Sequence, residues 1–167
     1  LVNRGATDQT LDGWALCAFP NYWLFPTGTV IAAGARLVVH SSTGTNDASN
    51  IYYDPSRPFD TWGCLDPDRG GELALYRNIV ANDPSEYVVS DNMVAYVEWR
   101  TAGHMRESVA VGANLWEFAS ALDMAGYVAG DGIASNETGI CVRNFCVESR
   151  AQASLGAANP GTVCPMR

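Results

Sequence analysis

Several residue types and motifs that would indicate a specific chemistry are missing from this sequence. Each of the 10 basic residues is an arginine, lysine is absent, and the formal net charge is −8. Binding to a nucleic-acid backbone needs clustered basic side chains that displace counterions, so this charge balance argues against nucleic acid as a partner. No apolar run approaches the roughly 20 residues that cross a bilayer as a helix, so no direct membrane span is predicted.

Catalytic signatures are missing as well. The two histidines, His40 and His104, have no motif partner close in sequence, and we interpret them as residues at a strand end and in a turn. The chain contains no GxSxG elbow, no HExxH motif and no glycine-rich phosphate loop. These absences favour a non-enzymatic role. The competing hypothesis is a secreted hydrolase that uses an acidic pair, for example Asp66 with Glu98.

The five cysteines do not follow the CxxC or CxxCH spacing of zinc, haem or thioredoxin-like sites. In the segment CVRNFC, the residues between Cys141 and Cys146 can form a tight loop, which predicts a disulfide between these two cysteines. A second, long-range bridge is predicted from Cys17, with Cys64 as the favoured partner and Cys164 as the alternative. Paired cysteines indicate an extracytoplasmic location: secreted, at the cell surface or periplasmic. The alternative is that the cysteines are buried thiols.

Most of the sequence consists of short segments rich in β-branched and aromatic residues, separated by clusters of Gly, Pro, Asn and Asp. This pattern is typical of an all-β sandwich or barrel. The predicted strands are WALC, WLF, ARLVVH, IYYD, GELALYR, MVAYVEW, GYVAG and GICVRNFCVE.

One segment breaks the strand pattern, because its apolar residues recur every three or four positions, at Val111, Leu115, Phe118 and Leu122. This spacing predicts a short helix from about Leu115 to Ala125, which Gly126 ends. Gly112 and the β-branched residues before it argue against an extension of this helix towards the N-terminus.

The turn DPDRGGE carries the best candidate metal ligands, since Asp66, Asp68 and Glu72 supply the hard oxygen atoms that calcium prefers. The spacing does not match an EF-hand loop, and Asp, Pro and Gly also dominate ordinary turns. We therefore expect no cofactor, with calcium as the alternative. Asn136 begins a glycosylation sequon, which matters only in a glycosylating secretory route.

Aromatic residues are concentrated in or near the predicted loops, at Tyr22, Trp23, Tyr52, Tyr53, Phe59 and Trp62. Tyr and Trp bury a large area at low entropy cost, so such a group suits a surface that recognises a partner. The same residue types also fill cores, and the sequence alone does not separate the two interpretations.

Six motifs follow one another along the chain: LVNRG from Leu1, LDGWAL from Leu11, FPTGTVIAAGARLVV from Phe25, LDPDRGGELALYR from Leu65, MVAYVEW from Met93 and SLGAANPG from Ser154. In this order they resemble the lamin tail domain family, in particular its secreted bacterial branch. The resemblance implies an immunoglobulin-like β-sandwich over 1–160, here with one short helix between late strands, and a C-terminal tail over 161–167. In such a fold Gly13 allows a turn that directs Trp14 inwards.

The family resemblance implies an adapter module. We therefore expect a non-enzymatic extracytoplasmic binding or structural module, an accessory or assembly subunit of a larger envelope or extracellular complex. Protein partners are expected, including further copies of the chain. The family's first strand would precede Leu1, and an open sheet edge accepts a strand from a neighbour. The start at Leu1 rather than Met predicts a processed or shortened product. The alternatives are a calcium- or carbohydrate-binding module and the hydrolase.

Overall fold

The computed structural model describes residues 1–40, 43–53 and 69–122, and the backbone of two further strands at 132–135 and 145–148. The strands in this part of the chain are β1 (Gln9–Thr10), β2 (Ala15–Ala18), β3 (Asn21–Leu24), β4 (Val30–Ile31), β5 (Val38–His40), β6 (Asn50–Tyr52), β7 (Gly71–Tyr76), β8 (Met93–Trp99), β9 (Gly132–Ser135) and β10 (Phe145–Glu148). Two 3₁₀ turns, Pro84–Val88 and Ser90–Asn92, precede β8, and one short helix, α1 (Glu107–Gly112), follows it.

A four-stranded antiparallel sheet in the order β3-β2-β7-β8 organises the fold. β2 and β3 form a tight hairpin in which Ala18 lies opposite Asn21. β2 pairs on its other side with β7, where Leu16 lies opposite Leu75. β7 and β8 are the longest strands, and successive residues of β7 are buried, as expected of a strand in a sheet with two covered faces.

Side chains of successive residues pack into two different cores on opposite faces of this sheet. Leu16, Ala18 and Leu75 belong to the first face, here called the aliphatic face, together with Leu11, Phe25, Ile31, Leu37, Ile51 and Tyr53. Ala15, Cys17 and Ala74 belong to the second, here called the tyrosine face, together with Tyr76, Tyr87, Tyr96, Ile79, Met93, Val109, Ala110 and Trp116. The period of two along each strand is the cause of this division.

Two small sheets contribute to the aliphatic face. β1 pairs antiparallel with β4, and β5 pairs parallel with β6, with Val39 opposite Ile51. The chain start lies beside them, because the Leu1 amino group donates to the Leu37 carbonyl at 2.8 Å. Further along the chain, β9 and β10 form an antiparallel pair.

The structure confirms a β-rich fold of mostly antiparallel sheets with one short helix. The segments GELALYR and MVAYVEW form β7 and β8 almost as predicted. Gly13 adopts a left-handed conformation with φ +72°, and the half-buried Trp14 that follows it packs on the aliphatic face. The predicted strand GYVAG lies outside the described residues. Within the described part of the chain, no helix has the length and apolar character needed to span a membrane.

The predicted position of the helix is wrong. The helix is α1 at Glu107–Gly112, whereas residues 115–122 form bends and turns that end in a β-bridge between Leu122 and Trp99. Asn114 and Ala119 have positive φ values, which a continuous helix excludes, and Phe118 is 76% exposed instead of packing in a core. Gly112 lies at the end of α1 against Ser90. A Cβ at this position would lie only 2.8 Å from the Ser90 hydroxyl oxygen, so the close approach favours glycine.

The predicted long-range disulfide from Cys17 is not formed in this structure. Cys17 is a fully buried thiol on β2, on the tyrosine face. Its two proposed partners, Cys64 and Cys164, lie outside the described residues, as does Cys141. Cys146 is placed on β10 opposite Ala134, and nothing more than its backbone is described.

Candidate functional site

Two glutamates lie side by side within the tyrosine face. Glu72 on β7 and Glu98 on β8 are directly opposite each other in the strand register. They are 4% and 0% exposed. Like charges directly opposite each other destabilise a sheet, and a buried carboxylate without partners is costly. The pair therefore depends on specific neighbours.

Tyr96 provides the contact between the two carboxyl groups. Its hydroxyl lies 2.8 Å from Glu72 Oε2 and 3.0 Å from Glu98 Oε2. Tyr96 is two residues before Glu98 on β8, so both side chains point to the same face of the sheet. The strand period brings the three polar groups together inside the protein.

The segment after β8 covers this pair and supplies further donors. The backbone N–H of Arg106 donates to Glu72 Oε2 at 2.8 Å, and that of His104 donates to Glu98 Oε2 at 3.3 Å. The indole Nε1–H of Trp116 donates to Glu98 Oε1 at 2.9 Å. We call Glu72, Tyr96, Glu98, Arg106 and Trp116 the carboxyl cluster, and residues 100–116 the covering segment.

Two backbone hydrogen bonds bring the chain back to the end of β8 after the covering segment. The N–H of Arg100, in a left-handed conformation with φ 66°, donates to the carbonyl of Leu122 at 3.0 Å. The N–H of Leu122 donates in turn to the carbonyl of Glu98 at 2.9 Å. Gly70 makes room at the same end of the sheet, because a Cβ there would lie 3.0 Å from the Trp99 carbonyl oxygen.

Arg106 brings a buried positive charge to the cluster. The residue is 5% exposed, and its guanidinium carbon lies 5.3 Å from the centre of the Phe19 ring and 5.7 Å from that of Tyr22. The guanidinium also donates to the Tyr22 hydroxyl. These contacts place the cation between the β2–β3 hairpin and the covering segment.

The ionisation of the cluster is shifted by burial. Burial raises the pKa of Glu98 to about 7, against the opposing effect of the hydrogen bond with Tyr96. Burial also raises the pKa of Glu72. The pKa of Tyr96 lies well above its usual range for the same reason. A carboxyl group that titrates near neutral pH can hold or release a proton. Chemically, the cluster is an enclosed pair of carboxyl groups held by a tyrosine hydroxyl, an indole N–H and two backbone N–H groups.

An open groove beside β5 forms the second candidate site. Its volume is about 410 Å³, and it is lined by Gly34, Ala35, Arg36, Val38, His40, Ser49 and Asn50. The Nε2 atom of His40 lies 2.9 Å from Asn50 Oδ1, and the His40 ring stacks on Tyr52 with centroids 4.4 Å apart. The groove is thus lined by an arginine, a histidine and neutral residues, and the histidine ring is held by Asn50 and Tyr52.

The described members of the predicted aromatic group do not form one patch. Tyr22 packs on the tyrosine face, 4.1 Å from Tyr87 between ring centroids. Trp23, the next residue, packs on the aliphatic face near Tyr53, which is buried. Tyr52 is half-buried against His40 at the groove. Phe59 and Trp62 lie outside the described residues.

The candidate calcium ligands are only partly placed. Asp66 and Asp68 lie outside the described residues, and the Glu72 carboxyl faces Tyr96 in the interior. A calcium site at the turn would have to form without Glu72. Among the residues that the structure describes, no group of three His, Cys, Asp or Glu side chains is arranged to hold a metal ion. The acid beside Glu98 is Glu72, and the proposed pairing of Glu98 with Asp66 falls outside the described part.

Sequence reasoning missed Tyr96, Arg106 and Trp116, and it did not pair Glu72 with Glu98. A signal was present in the strands. In GELALY the residues Glu72, Ala74 and Tyr76 share one face, so an acid occupies a position where the pattern requires a buried residue. Arg106 and Trp116 carry no such signal, because they lie outside the strands. They reach the cluster only because the covering segment folds back over the sheet.

Comparisons with protein-family models, with curated proteins and with solved structures found no match to this chain. The lamin tail resemblance therefore stays a prediction.

Proposed function

We propose that the chain is a non-enzymatic extracytoplasmic binding or structural module with an immunoglobulin-like β-sandwich fold. It would act as an accessory or assembly subunit of a larger envelope or extracellular complex. The fold proposal is supported by the six ordered motifs and by the packing of β1, β4, β5 and β6 on one face of the central sheet.

The observation that carries the proposed function is the difference in access between the two candidate sites. The carboxyl groups of Glu72 and Glu98 are enclosed and engaged by internal donors. The groove beside β5 is open and has a volume in the range of binding pockets. A molecule that meets a partner at its surface, with its paired carboxyl groups closed inside, fits recognition better than turnover.

Partner capture with matched charge reversals tests this function. Arg36→Glu changes the groove, and Arg77→Glu makes the same charge change at an exposed site at the end of β7. Native mass spectrometry on extracts of the source envelope is expected to show one complex with the wild type and with Arg77→Glu. With a folded Arg36→Glu chain, the complex should be lost.

Two results would contradict the proposal. One is a wild-type chain that forms no complex in such extracts and does not self-associate at high concentration. The other is a complex that survives Arg36→Glu unchanged, which would remove the groove as the binding surface.

The calcium-binding alternative needs its own measurement. A bound ion stabilises the folded state by mass action, so calcium binding raises the melting temperature as its concentration increases. We expect no increase up to millimolar calcium. A steady rise with calcium concentration would favour the alternative.

A further inference from the structure

The hydrogen-bond geometry of the carboxyl cluster implies an additional proton. A tyrosine hydroxyl carries one hydrogen and can donate to one acceptor. The Tyr96 hydroxyl nevertheless lies within hydrogen-bond distance of both Glu72 Oε2 and Glu98 Oε2. Both contacts are hydrogen bonds only if one of the carboxyl groups is protonated and donates to the tyrosine oxygen.

An independent observation points to the same proton. Glu72 Oε1 is buried and has no hydrogen-bond partner in the structure, and the same is true of Glu107 Oε1. A buried bare carboxylate oxygen is costly, whereas a protonated carboxyl lowers that cost because it is neutral. The charged residues buried in the described part are three acids, Glu72, Glu98 and Glu107, and one base, Arg106. One cation does not balance three carboxylates.

We propose that Glu72 and Glu98 together bind one proton through Tyr96 at neutral pH, and that release of this proton opens the covering segment, residues 100–116, from the tyrosine face. The proton belongs to the pair, because two strongly interacting groups titrate as a unit. This inference does not depend on the proposed binding function.

The charged and titratable groups around the pair act in both directions. From the covering segment, His104 and Arg106 lower the pKa of Glu72 by their charge, and from α1, Glu107 raises the pKa of Glu98. On the strand side, Tyr22 of β3 faces Arg106 and Cys17 of β2 lies near Tyr22 and Tyr76. Burial is the largest effect on both carboxyl groups and favours the protonated form.

The covering segment is the part that moves when the proton leaves. β7 and β8 are held by a continuous ladder from Gly71 opposite Trp99 to Tyr76 opposite Met93. Over the pair itself, the cover is attached by the backbone N–H groups of His104 and Arg106 and by the Trp116 indole. Further along the segment, Val109 and Ala110 of α1 pack in the core of the tyrosine face. Two neighbouring carboxylates gain most by access to water, and displacement of the cover admits water without breaking the ladder.

The sign of the pH effect follows from the direction of the shift. Both glutamates have a higher pKa in the folded chain than in the unfolded chain. Between about pH 4.5 and pH 7 the folded state therefore binds more protons than the unfolded state. The stabilisation is complete below this range and is lost as the pH rises through it.

Chemical denaturation across pH 5 to 8 tests the proton. In the wild type, the unfolding equilibrium constant is expected to rise by up to about tenfold per pH unit between pH 5 and 7. Glu98→Gln imitates the protonated carboxyl and should lower this slope well below that of the wild type, since Glu72 alone remains to titrate in the pair. Glu86→Gln is the matched control, because Glu86 lies in a surface cap where backbone hydrogen bonds lower its pKa. It should keep the wild-type slope.

Infrared spectroscopy of the wild type provides a measurement that needs no variant to fold. At pH 6 a carbonyl band of a protonated carboxylic acid should be present in the folded protein, and it should disappear by pH 9. Tyr96→Phe removes the bridging hydroxyl and should shift the pH at which the band is lost. A folded wild type without this band, or Glu98→Gln with the wild-type slope, would overturn the shared proton.

Amide hydrogen exchange tests the opening. After correction for the intrinsic effect of pH, the amides of His104 and Arg106 should exchange at least about tenfold faster at pH 8 than at pH 6, while that of Leu75 stays protected. In Glu98→Gln the two rates should agree within about twofold. Equal corrected rates in the wild type at both pH values would show that the cover does not open.

Discussion

The two faces of the central sheet are both closed by packed side chains, but by different means. The aliphatic face is filled by Leu, Ile, Phe and Tyr side chains that pack against β1, β4, β5 and β6. The tyrosine face encloses three tyrosines and, at one end, two glutamates and an arginine under an irregular cover. The strands β2 and β7 contribute to both, since alternate residues point in opposite directions.

The difference lies in what each face requires to stay closed. Apolar packing depends on shape and area and is insensitive to pH. The carboxyl cluster depends on hydrogen bonds whose donors and acceptors must match the protonation state of its two carboxyl groups. Its stability therefore depends on pH. One sheet thus combines a face whose contribution to stability is independent of pH with a face whose contribution changes with pH. Four substitutions test this contrast, in order of decreasing effect.

Phe25→Ala removes a large side chain from the aliphatic face, where Phe25 is 5% exposed. The lost packing and the remaining cavity should lower the free energy of unfolding by about 3–5 kcal/mol. The loss should be equal at pH 5.5 and pH 8. The exposed Phe118→Ala is the control and should change the free energy by less than about 0.5 kcal/mol. A strong pH dependence of the Phe25→Ala effect would remove the contrast between the faces.

Arg106→Met replaces the buried cation on the tyrosine face with an apolar side chain. Because Arg106 lowers the pKa of Glu72, its loss favours protonation of the cluster. The free energy of unfolding should fall by about 3 kcal/mol at pH 8 and by less at pH 5.5, where the carboxyl groups hold more protons. Denaturant titrations at both pH values measure this. The exposed Arg77→Met is the control, and an equal loss at both pH values would contradict the electrostatic role.

Gly13→Ala tests a link between the faces, because the Gly13 carbonyl accepts from the N–H of Ile79 on the tyrosine face. The φ of +72° is unfavourable for Ala, and the new Cβ would lie 3.1 Å from the Ile79 carbonyl oxygen. We expect a loss of about 2 kcal/mol in thermal or chemical unfolding. Gly28→Ala, at φ +81° with open space, should cost about 1 kcal/mol. Equal costs would show that the contact with Ile79 relaxes freely.

Tyr76→Phe removes one buried hydrogen bond from the tyrosine face, the 3.0 Å contact from its hydroxyl to the Tyr87 carbonyl. The ring stays in place, so the loss should be only about 1 kcal/mol and constant from pH 5.5 to pH 8. Denaturation of the variant beside Glu98→Gln separates the two kinds of polar group on this face. A slope with pH that differs from the wild type would connect Tyr76 to the carboxyl cluster.

Local pattern was sufficient for the main strands and insufficient for the segment after them. β7 follows from alternation in GELALYR, and β8 follows from the valine and aromatic residues of MVAYVEW. The helix was expected at 115–125 from its apolar spacing, but Phe118 of that spacing is exposed in a turn. The nearby Trp116 instead donates to Glu98 in the interior. The parallel pairing of β5 with β6 also has no local signal, because strand direction depends on the path of the intervening chain.

The sequence by itself determined the β-rich class, the positions of β7 and β8 and the turn at Gly13, because these depend on alternation and on backbone sterics over a few residues. Only the tertiary structure decided that Glu72 and Glu98 lie opposite each other, with Tyr96 between them and Arg106 and Trp116 above. These residues extend over 44 positions of the sequence, from Glu72 to Trp116. The register of β7 with β8 and the return of the covering segment to the sheet bring them together. The enclosed carboxyl pair is therefore a property of the fold.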